Sequence, residues 1–512
     1  MDGVIQSAHR VFPPPHPGAG AVIFEDVHLL AVNKPAGIPT HTPEPGLCWG
    51  WYEYFHWRNP GSTKLRLLHR LDRETSGVLL LAKSGEASRE LASQWEAGSV
   101  FKRYLFAARR KPQKTTWKVE QMIGGQRAVT EFRALDRHGE FYRIEAYPKT
   151  GRTHQVRLHA AASGVPVVGD REHGEPRDDW PLLLHAAEIG CRPPGAKADA
   201  RFSAPLPETL SAVSATEAWW MRAGLLREAM AGDAEAVRWI HGAADGFPEQ
   251  TVDRYAEVWV LSNFSEIRDD FLRRKLTGRK MIVKRYQGQG RVKNVGNAAA
   301  VTVTENGLRY EIQFGEATTT GLFLDQRENR LWLKRLLPVL PPGSVLNCFA
   351  HTCSFSVVAA RAGRMTASID LSPKYLEWGK RNFVLNGVDP EAHRWLRGEA
   401  GDWIKRLKKK GERFAAVILD PPSFSRSKRG VFQVERDLEP LVREAASLVA
   451  PGGGMFIATN YQKWSQKALV STVRRAFQGR KIVLKSVPLP PDFPYQAGAP
   501  LWMKSVWAAF QG

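Results

Sequence analysis

The chain has 512 residues, 43% of them apolar, and 17 Trp. That is more than a single core holds, so two to four domains are expected. Its formal net charge of +21 points to a polyanionic partner, and no apolar run approaches the ~20 residues needed to cross a bilayer. The cysteines, Cys48, Cys191, Cys348 and Cys353, are too few for a disulfide scaffold and form no CxxC pair. A reducing, cytoplasmic compartment and no metal site are therefore expected, with no membrane partner.

Residues 1–21 lack an apolar run behind a basic one and read as an N-terminal arm rather than a signal peptide. VIFEDVHLLAV (22–32) predicts a strand pair, and GVLLLAK (77–83) a short buried strand. A helix follows, GEASRELASQWEAG, with Ser84 as N-cap and Gly98 as its stop. Further strands are expected over 101–107, 129–135 and 141–147, which makes this first half, 22–205, an α+β domain. The Ser-, Ala- and Pro-rich stretch around 206–216 is the predicted linker. Residues 217–242 look helical, and strand-like pieces from 251 to 315 give 217–325 the character of a small, helical and β-rich RNA-binding subdomain.

From 326 the pattern alternates strand and helix. SVLNCFA is a strand, CSFSVVAARAG a helix ending at Gly363, and MTASID a strand. A helix capped by Ser372, with Pro373 in its first turn, runs to Gly387. FAAVILD (414–420), a helix over 436–450 and the strand GMFIATN complete an α/β Rossmann-like domain, 326–512. Such a sheet binds ligands beyond the carboxyl ends of its strands. Residues 1–215 hold 28 Lys+Arg against 23 Asp+Glu, a balance of +5; the rest hold 45 against 29, or +16. Basic segments RRKPQK, RRKLTGRK and KRLKKK suit structured RNA.

In LLHRLDRETSGVLLLAK, Asp72 occupies a polar turn directly before a buried strand, with His69, Arg70, Arg73 and Thr75 around it. Taken alone, a loop Asp is usually a turn cap. The string HRLDxxTSG, however, resembles the catalytic motif of RluA-type pseudouridine synthases. NKPAG (33–37), FKRYLFA (101–107), KTGRTHQVRLHAAASGVPVVGD (149–170) and LLLHA (182–186) occur in that family's order. The resemblance implies that Asp72 is the nucleophile or base at the sugar, that Arg157 is its cationic partner, and that Tyr104 stacks on the base. It implies no cofactor, and a uridine that leaves its stack. His69, Arg70, Arg73, Arg152 and His154 are expected to face the RNA.

Residues 344–460 resemble a class I methyltransferase that uses S-adenosylmethionine. The turn VLNCFAHTCSF lacks the glycines a dinucleotide pyrophosphate requires. Asn347, Phe349, Asp370 at the end of the second strand and Glu399 after the third are implied to hold the cofactor, with Asp325 and Arg327 closing its pocket. ILDPPSFSRSK places Asp420, Pro421 and Pro422 at the fourth strand's end, where they can present carbonyls and a carboxylate to a target base. Ser423, Phe424 and Lys428 would extend that face, Phe424 as a stacking platform.

WIHGAADGFPEQTVDRYAEVWVL, FGEATTTGLFLDQRENR and the stretch from LNCFAHTCSF to NFVLNG are similar to the RlmI and RlmK groups of large-subunit ribosomal RNA methyltransferases. Methylating carbon 5 of cytosine needs a cysteine nucleophile, and neither DPPSFSRSK nor TNYQKWS holds one. A guanine is therefore favoured over cytosine carbon 5, and the resemblance to the RlmK group implies its nitrogen 7. The expected protein is a bifunctional RNA modifier acting on 23S ribosomal RNA or the assembling large subunit. Alternatives are a chain with one catalytic half and one RNA-gripping half, and a non-enzymatic assembly factor.

Overall fold

The computed structural model describes residues 22–43, 46–58, 65–265, 269–287, 291–296, 298–315, 319–427, 430–496 and 498–510. The expected arm, 1–21, and Lys428 lie outside the described residues.

Ten strands form the first sheet: β1 Val22–Glu25, β2 Leu29–Lys34, β3 Arg66–Leu67, β4 Ser76–Ala82, β5 Phe101–Ala108, β6 Thr116–Ile123, β7 Gln126–His138, β8 Phe141–Pro148, β9 Leu184–Cys191 and β10 Ala200–Ser203. The order is β1-β2-β4-β9-β5-β8-β7-β6, with β3 beside β4 and β10 beside β9. Every pairing is antiparallel except β4 with β9. The alternation of side chains along a strand gives β2 and β4 two apolar faces. Leu29, Ala31, Val78 and Leu80 pack on Ala87 and Leu91 of the helix Gly85–Glu96. Leu30, Val32, Leu79 and Leu81 pack on Trp51, Tyr54, Leu226 and Met230. Ser84 caps that first helix as expected, its Oγ accepting the Ala87 N–H at 3.0 Å.

Residues expected to be helical to 242 divide. The helix Ala215–Met230 stops before Gly232, and Ala236–His241 is a strand, β11. The run AVRWI is buried throughout as it enters a sheet, its one charge, Arg238, paired with Asp253, and tertiary burial overrides the helical reading. β11, β12 Gln250–Tyr255, β13 Val258–Asn263, β14 Lys280–Gln287 and β15 Arg291–Val295 form a five-stranded sheet in chain order. A hairpin, β16 Val301–Glu305 with β17 Leu308–Ile312, follows.

The third sheet holds β18 Val345–Cys348, β19 Thr366–Asp370, β20 Arg394–Arg397, β21 Phe414–Leu419, β24 Val449–Thr459, β25 Ile482–Lys485 and β26 Lys504–Phe510; β22 Phe424–Ser427 and β23 Gly430–Gln433 form a separate ribbon. Its order is β20-β19-β18-β21-β24-β26-β25, parallel except at β26. The helix expected over 436–450 is Val434–Ala445, because Val449 already begins β24.

The two halves share a buried seam. Trp57 stacks on Trp332 with centroids 5.1 Å apart and on Trp49 at 5.7 Å. Glu328, fully buried, accepts hydrogen bonds from Trp57 Nε1 at 2.8 Å and Tyr54 Oη at 3.2 Å. The helix Ala215–Met230 adds to the joint. Its buried Arg227 grips Asp245 through two hydrogen bonds and also donates to the Asp492 carbonyl at 3.0 Å. Among the described residues no helix is long and apolar enough to cross a membrane.

Two candidate active sites

The first site is built on the β4–β9 crossing. Gly77 has φ +116°, and a Cβ there would lie 2.2 Å from the Ala186 carbonyl oxygen. Only glycine lets these backbones meet, and the meeting sets the turn before β4 over the sheet. Within that turn the Thr75 N–H donates to the Asp72 carbonyl at 3.1 Å. Two side chains of the NKPAG region hold it from below. Lys34, fully buried, donates to Pro35 O and Ile38 O at 2.9 Å and to Arg73 O at 3.3 Å. Burial pushes its ammonium down to about 7. Thr40 donates its hydroxyl to Leu71 O at 2.7 Å and accepts the Leu71 N–H at 3.0 Å.

Asp72 faces a cleft of about 720 Å³ lined by His69, Arg70, Tyr104, Arg152, His154 and Arg157, among others. Arg157, on the helix Gln155–Ala162, reaches Asp72 Oδ2 with Nη1 at 3.4 Å. Its fork is fixed by Asp170, which accepts Nε at 2.9 Å and Nη2 at 2.7 Å, and by Glu172 at 3.0 Å. Such a bidentate clamp orients a guanidinium far better than a single contact. Tyr104, on β5, has its phenol raised by burial and by the Asp72 charge, so it keeps its proton. The cleft therefore holds a carboxylate, a fixed cation and a neutral phenol together.

Not every expected RNA-facing residue serves the cleft in that way. His69 Nε2 accepts the Leu80 N–H at 3.1 Å, and its ring stacks on Trp95. Burial, then Lys102, pushes it down to about 4, so it braces β4 as a neutral acceptor. Arg70 is exposed at the rim, 3.4 Å from His41 Nε2. Arg73 turns away altogether. It donates to Gly37 O at 3.2 Å and to the Tyr495 carbonyl, with its guanidinium 5.6 Å from the Tyr495 ring centroid. Successive side chains in the turn diverge, and the neighbouring half supplies Arg73 with acceptors. Asp170 and Lys34 also belong to the site; VVGD and NKPAG mark their segments in the sequence, but spacing alone does not single out the side chains.

The second site lies at the carboxyl ends of β18, β19 and β21. Phe349, His351 and Cys353 adopt φ of 60°, 47° and 61°, left-handed conformations that non-glycine residues hold only under constraint. The constraint is visible: Ala350 N–H bonds Ile369 O at 2.9 Å, and His351 N–H bonds Asp370 Oδ2 at 2.8 Å. Asp370 Oδ1 accepts the Ser372 N–H at 2.8 Å. Each oxygen keeps acceptor capacity, and burial raises this carboxyl. His351 Nε2 is buried without a hydrogen-bond partner among the described residues. A turn closed without glycine, an acidic residue with free lone pairs and an orphaned imidazole nitrogen fit an adenosyl group with its ribose hydroxyls. Glu399 follows β20, and its side chain makes no capping bond to the helix Ala400–Lys409.

Asp420 accepts Gln326 Nε2 at 2.8 Å; burial, then the Asp325 charge, raises it to about 7. Asp325 is also raised by burial and accepts a hydrogen bond from Trp502. Pro421 is buried and Pro422 exposed, while Ser423 donates to Asn460 Oδ1 at 2.5 Å. The side chain of Phe424 lies outside the described residues. Two expected cofactor residues are committed elsewhere. Asn347 is buried, with its amide donating to Ser356 Oγ at 2.9 Å. Arg327 is buried in a fork with Asp492, with Nη1–Oδ2 3.2 Å. A guanidinium so deep needs a carboxylate partner, and the segment Pro490–Phe493 supplies it. Cys348 packs with Leu346, Ile369 and Leu419, and Cys353 in the opposite core; burial raises both thiols.

Fold and sites together define a tandem protein: a clamped aspartate on a mostly antiparallel sheet, then a class I methyltransferase sheet with an acidic D-P-P turn. Residues 28–162 match the family of RNA pseudouridylate synthases, and residues 276–503 match the S-adenosylmethionine-dependent methyltransferases, one after the other along the chain. The ribosomal RNA large subunit methyltransferase K of Neisseria meningitidis serogroup B is 34% identical over 192 residues, covering 37% of this chain and 53% of that protein. A ribosomal RNA large subunit methyltransferase K/L of Legionella pneumophila (strain Corby) is 35% identical over 198 residues, 37% of this chain and 27% of that one. The chain thus spans about half or less of these relatives. SMU.776, a solved structure complexed with SAH, superposes with TM-score 0.53 at 24% identity. It covers 57% of this chain and 80% of its own, a likeness of fold.

Proposed function

We propose that the chain is a bifunctional RNA-modifying enzyme of the cytoplasm. Its first half isomerises a uridine to pseudouridine, and its second methylates another nucleotide, guanine at nitrogen 7, in the RNA of the large ribosomal subunit. The observation that carries the synthase reading is the meeting of Asp72, Arg157 and Tyr104 in one cleft. Asp72 attacks or assists at the sugar carbon while the base–sugar bond breaks. Arg157 balances its charge, and Tyr104 supports the turning base and exchanges the proton at carbon 5. The uridine enters unstacked, since no carboxylate reaches the bond inside a helix.

In the second half S-adenosylmethionine supplies the methyl group. Asp370 takes the ribose hydroxyls, Glu399 meets the adenine, and the turn at Phe349 carries the backbone past the methionine end. Asp420, Pro421 and Pro422 orient the target base, which needs only positioning for nitrogen attack. The buried Cys348 and Cys353 thiols, and loops without cysteine, support a guanine over a cytosine target. The exposed run Lys405, Arg406, Lys409 and Lys410 supplies part of the RNA grip. Arg109, Arg110, Arg273 and Lys275 contribute less, because Asp178, Glu175, Asp269 and Glu217 partner them.

Mass spectrometry of ribosomal RNA fragments from cells with and without the gene tests both halves. Loss of one methyl group and one pseudouridine is expected. Retention of every pseudouridine in an Asp72→Ala strain, or of every methyl group in an Asp420→Ala strain, would refute the corresponding assignment.

A further inference from the structure

Beside the synthase cleft, three side chains converge on a point that the isomerisation does not use. His154 Nδ1 lies 2.8 Å from His173 Nε2 and 3.5 Å from Glu172 Oε1, and the latter two atoms are 3.6 Å apart. A point about 2.05 Å from all three, the usual zinc–ligand length, sits roughly 0.7 Å off their plane. Tetrahedral ligands at that length lie about 3.3 Å apart; the two separations to Glu172 are close to this, and the histidine nitrogens, at 2.8 Å, must part by about 0.5 Å to reach it. The donor set, two imidazoles and one carboxylate with the fourth position open, suits zinc and not magnesium or calcium.

The surroundings are those of a supported site. The other oxygen of Glu172, Oε2, is held by Arg157 at 3.0 Å, which leaves Oε1 for the histidines. The other nitrogen of His154, Nε2, faces Asp72 Oδ1 at 3.8 Å. This is an ion-pair contact, and a shift of about 0.8 Å would close it to the hydrogen bond by which a carboxylate steers a ligating histidine. Both imidazoles are partly accessible, at 26% and 19%.

We propose that His154, Glu172 and His173 form a three-ligand site for a zinc-class divalent cation at the cleft, and that filling it restrains Asp72. Coordination through Nδ1 fixes the remaining proton of His154 on Nε2, directed at the Asp72 carboxylate. The carboxylate that must approach the sugar then gains a donor and a nearby positive charge. The restraint rests on the synthase reading; the site itself does not. No paired cysteines mark the site in the sequence; its ligands come from the start of a helix and a turn 19 residues on.

The test is calorimetric titration of the metal-free full chain with zinc chloride, alongside His173→Ala and Glu172→Gln. One equivalent bound by the wild type, with affinity reduced at least about tenfold in both variants, is expected. No binding, or equal binding by both variants, overturns the site. In parallel, zinc should slow pseudouridine formation by the wild type and not by His173→Ala at the same concentration. Binding without any change in rate overturns the restraint. Absence of pseudouridine from the metal-free protein overturns the functional reading and the restraint with it, while calorimetry still decides the site.

Discussion

Replacing Arg157 separates its two duties, because one is structural and the other chemical. Asp170 is 1% exposed, and Arg157 makes two charged hydrogen bonds to it. Arg157→Met leaves that carboxylate buried with only the Glu172 and His173 amides as donors, and breaking a buried pair in this way costs about 3 to 5 kcal/mol. Adding Asp170→Leu removes the stranded charge, so the double variant should recover most of the loss. Urea unfolding followed by tryptophan fluorescence reads both. Pseudouridine formation, measured by chemical labelling of the RNA product, should stay lost in single and double variants alike, because each lacks the cation at Asp72. A double variant as unstable as the single one would refute the buried-charge account. One that turned over like the wild type would refute the role of Arg157. The pair also has a pH signature. Burial works against ionisation of Asp170, but the Arg157 and amide hydrogen bonds outweigh it and hold the carboxyl below its unfolded value. Its stabilisation is therefore full above about pH 3.9 and is lost as pH falls toward the folded value.

Three further outcomes are expected. If the ionised form of Asp420 orients the base, single-turnover methyl transfer should rise through about pH 7, where burial and Asp325 place this carboxyl; Asp420→Asn should be slow and flat, and a flat wild-type profile would count against that role. Gly77→Ala should lose about 2 kcal/mol or more and the synthase activity with it, since a methyl group meets the Ala186 carbonyl at 2.2 Å under a strained φ; an active, fully stable variant would contradict the β4–β9 contact. Trp57→Ala should cost about 3 kcal/mol and lower the melting temperature of the whole chain, because Trp57 stacks on Trp332 and donates to Glu328; calorimetry showing an unchanged transition would argue that the halves unfold independently.

Much of this protein is written locally. Ser84, Ser372 and Pro373 start helices where capping chemistry says they must, and apolar runs such as VLLLA and FAAVIL are buried strands. HRLDxxTSG and D-P-P place both candidate carboxylates, Asp72 and Asp420, at strand boundaries, because a motif of turn residues beside a buried strand is a short-range signal. Other features depend on partners far away along the chain. AVRWI is a strand rather than a helix end because a sheet receives it. Arg73 and Arg327 leave the sites beside them because Tyr495 and Asp492, remote in sequence, offer acceptors in the seam. Asp170 and Lys34 brace the synthase cleft through contacts that spacing does not reveal. A buried charge goes where its counter-charge or acceptor is, and only the folded chain decides that.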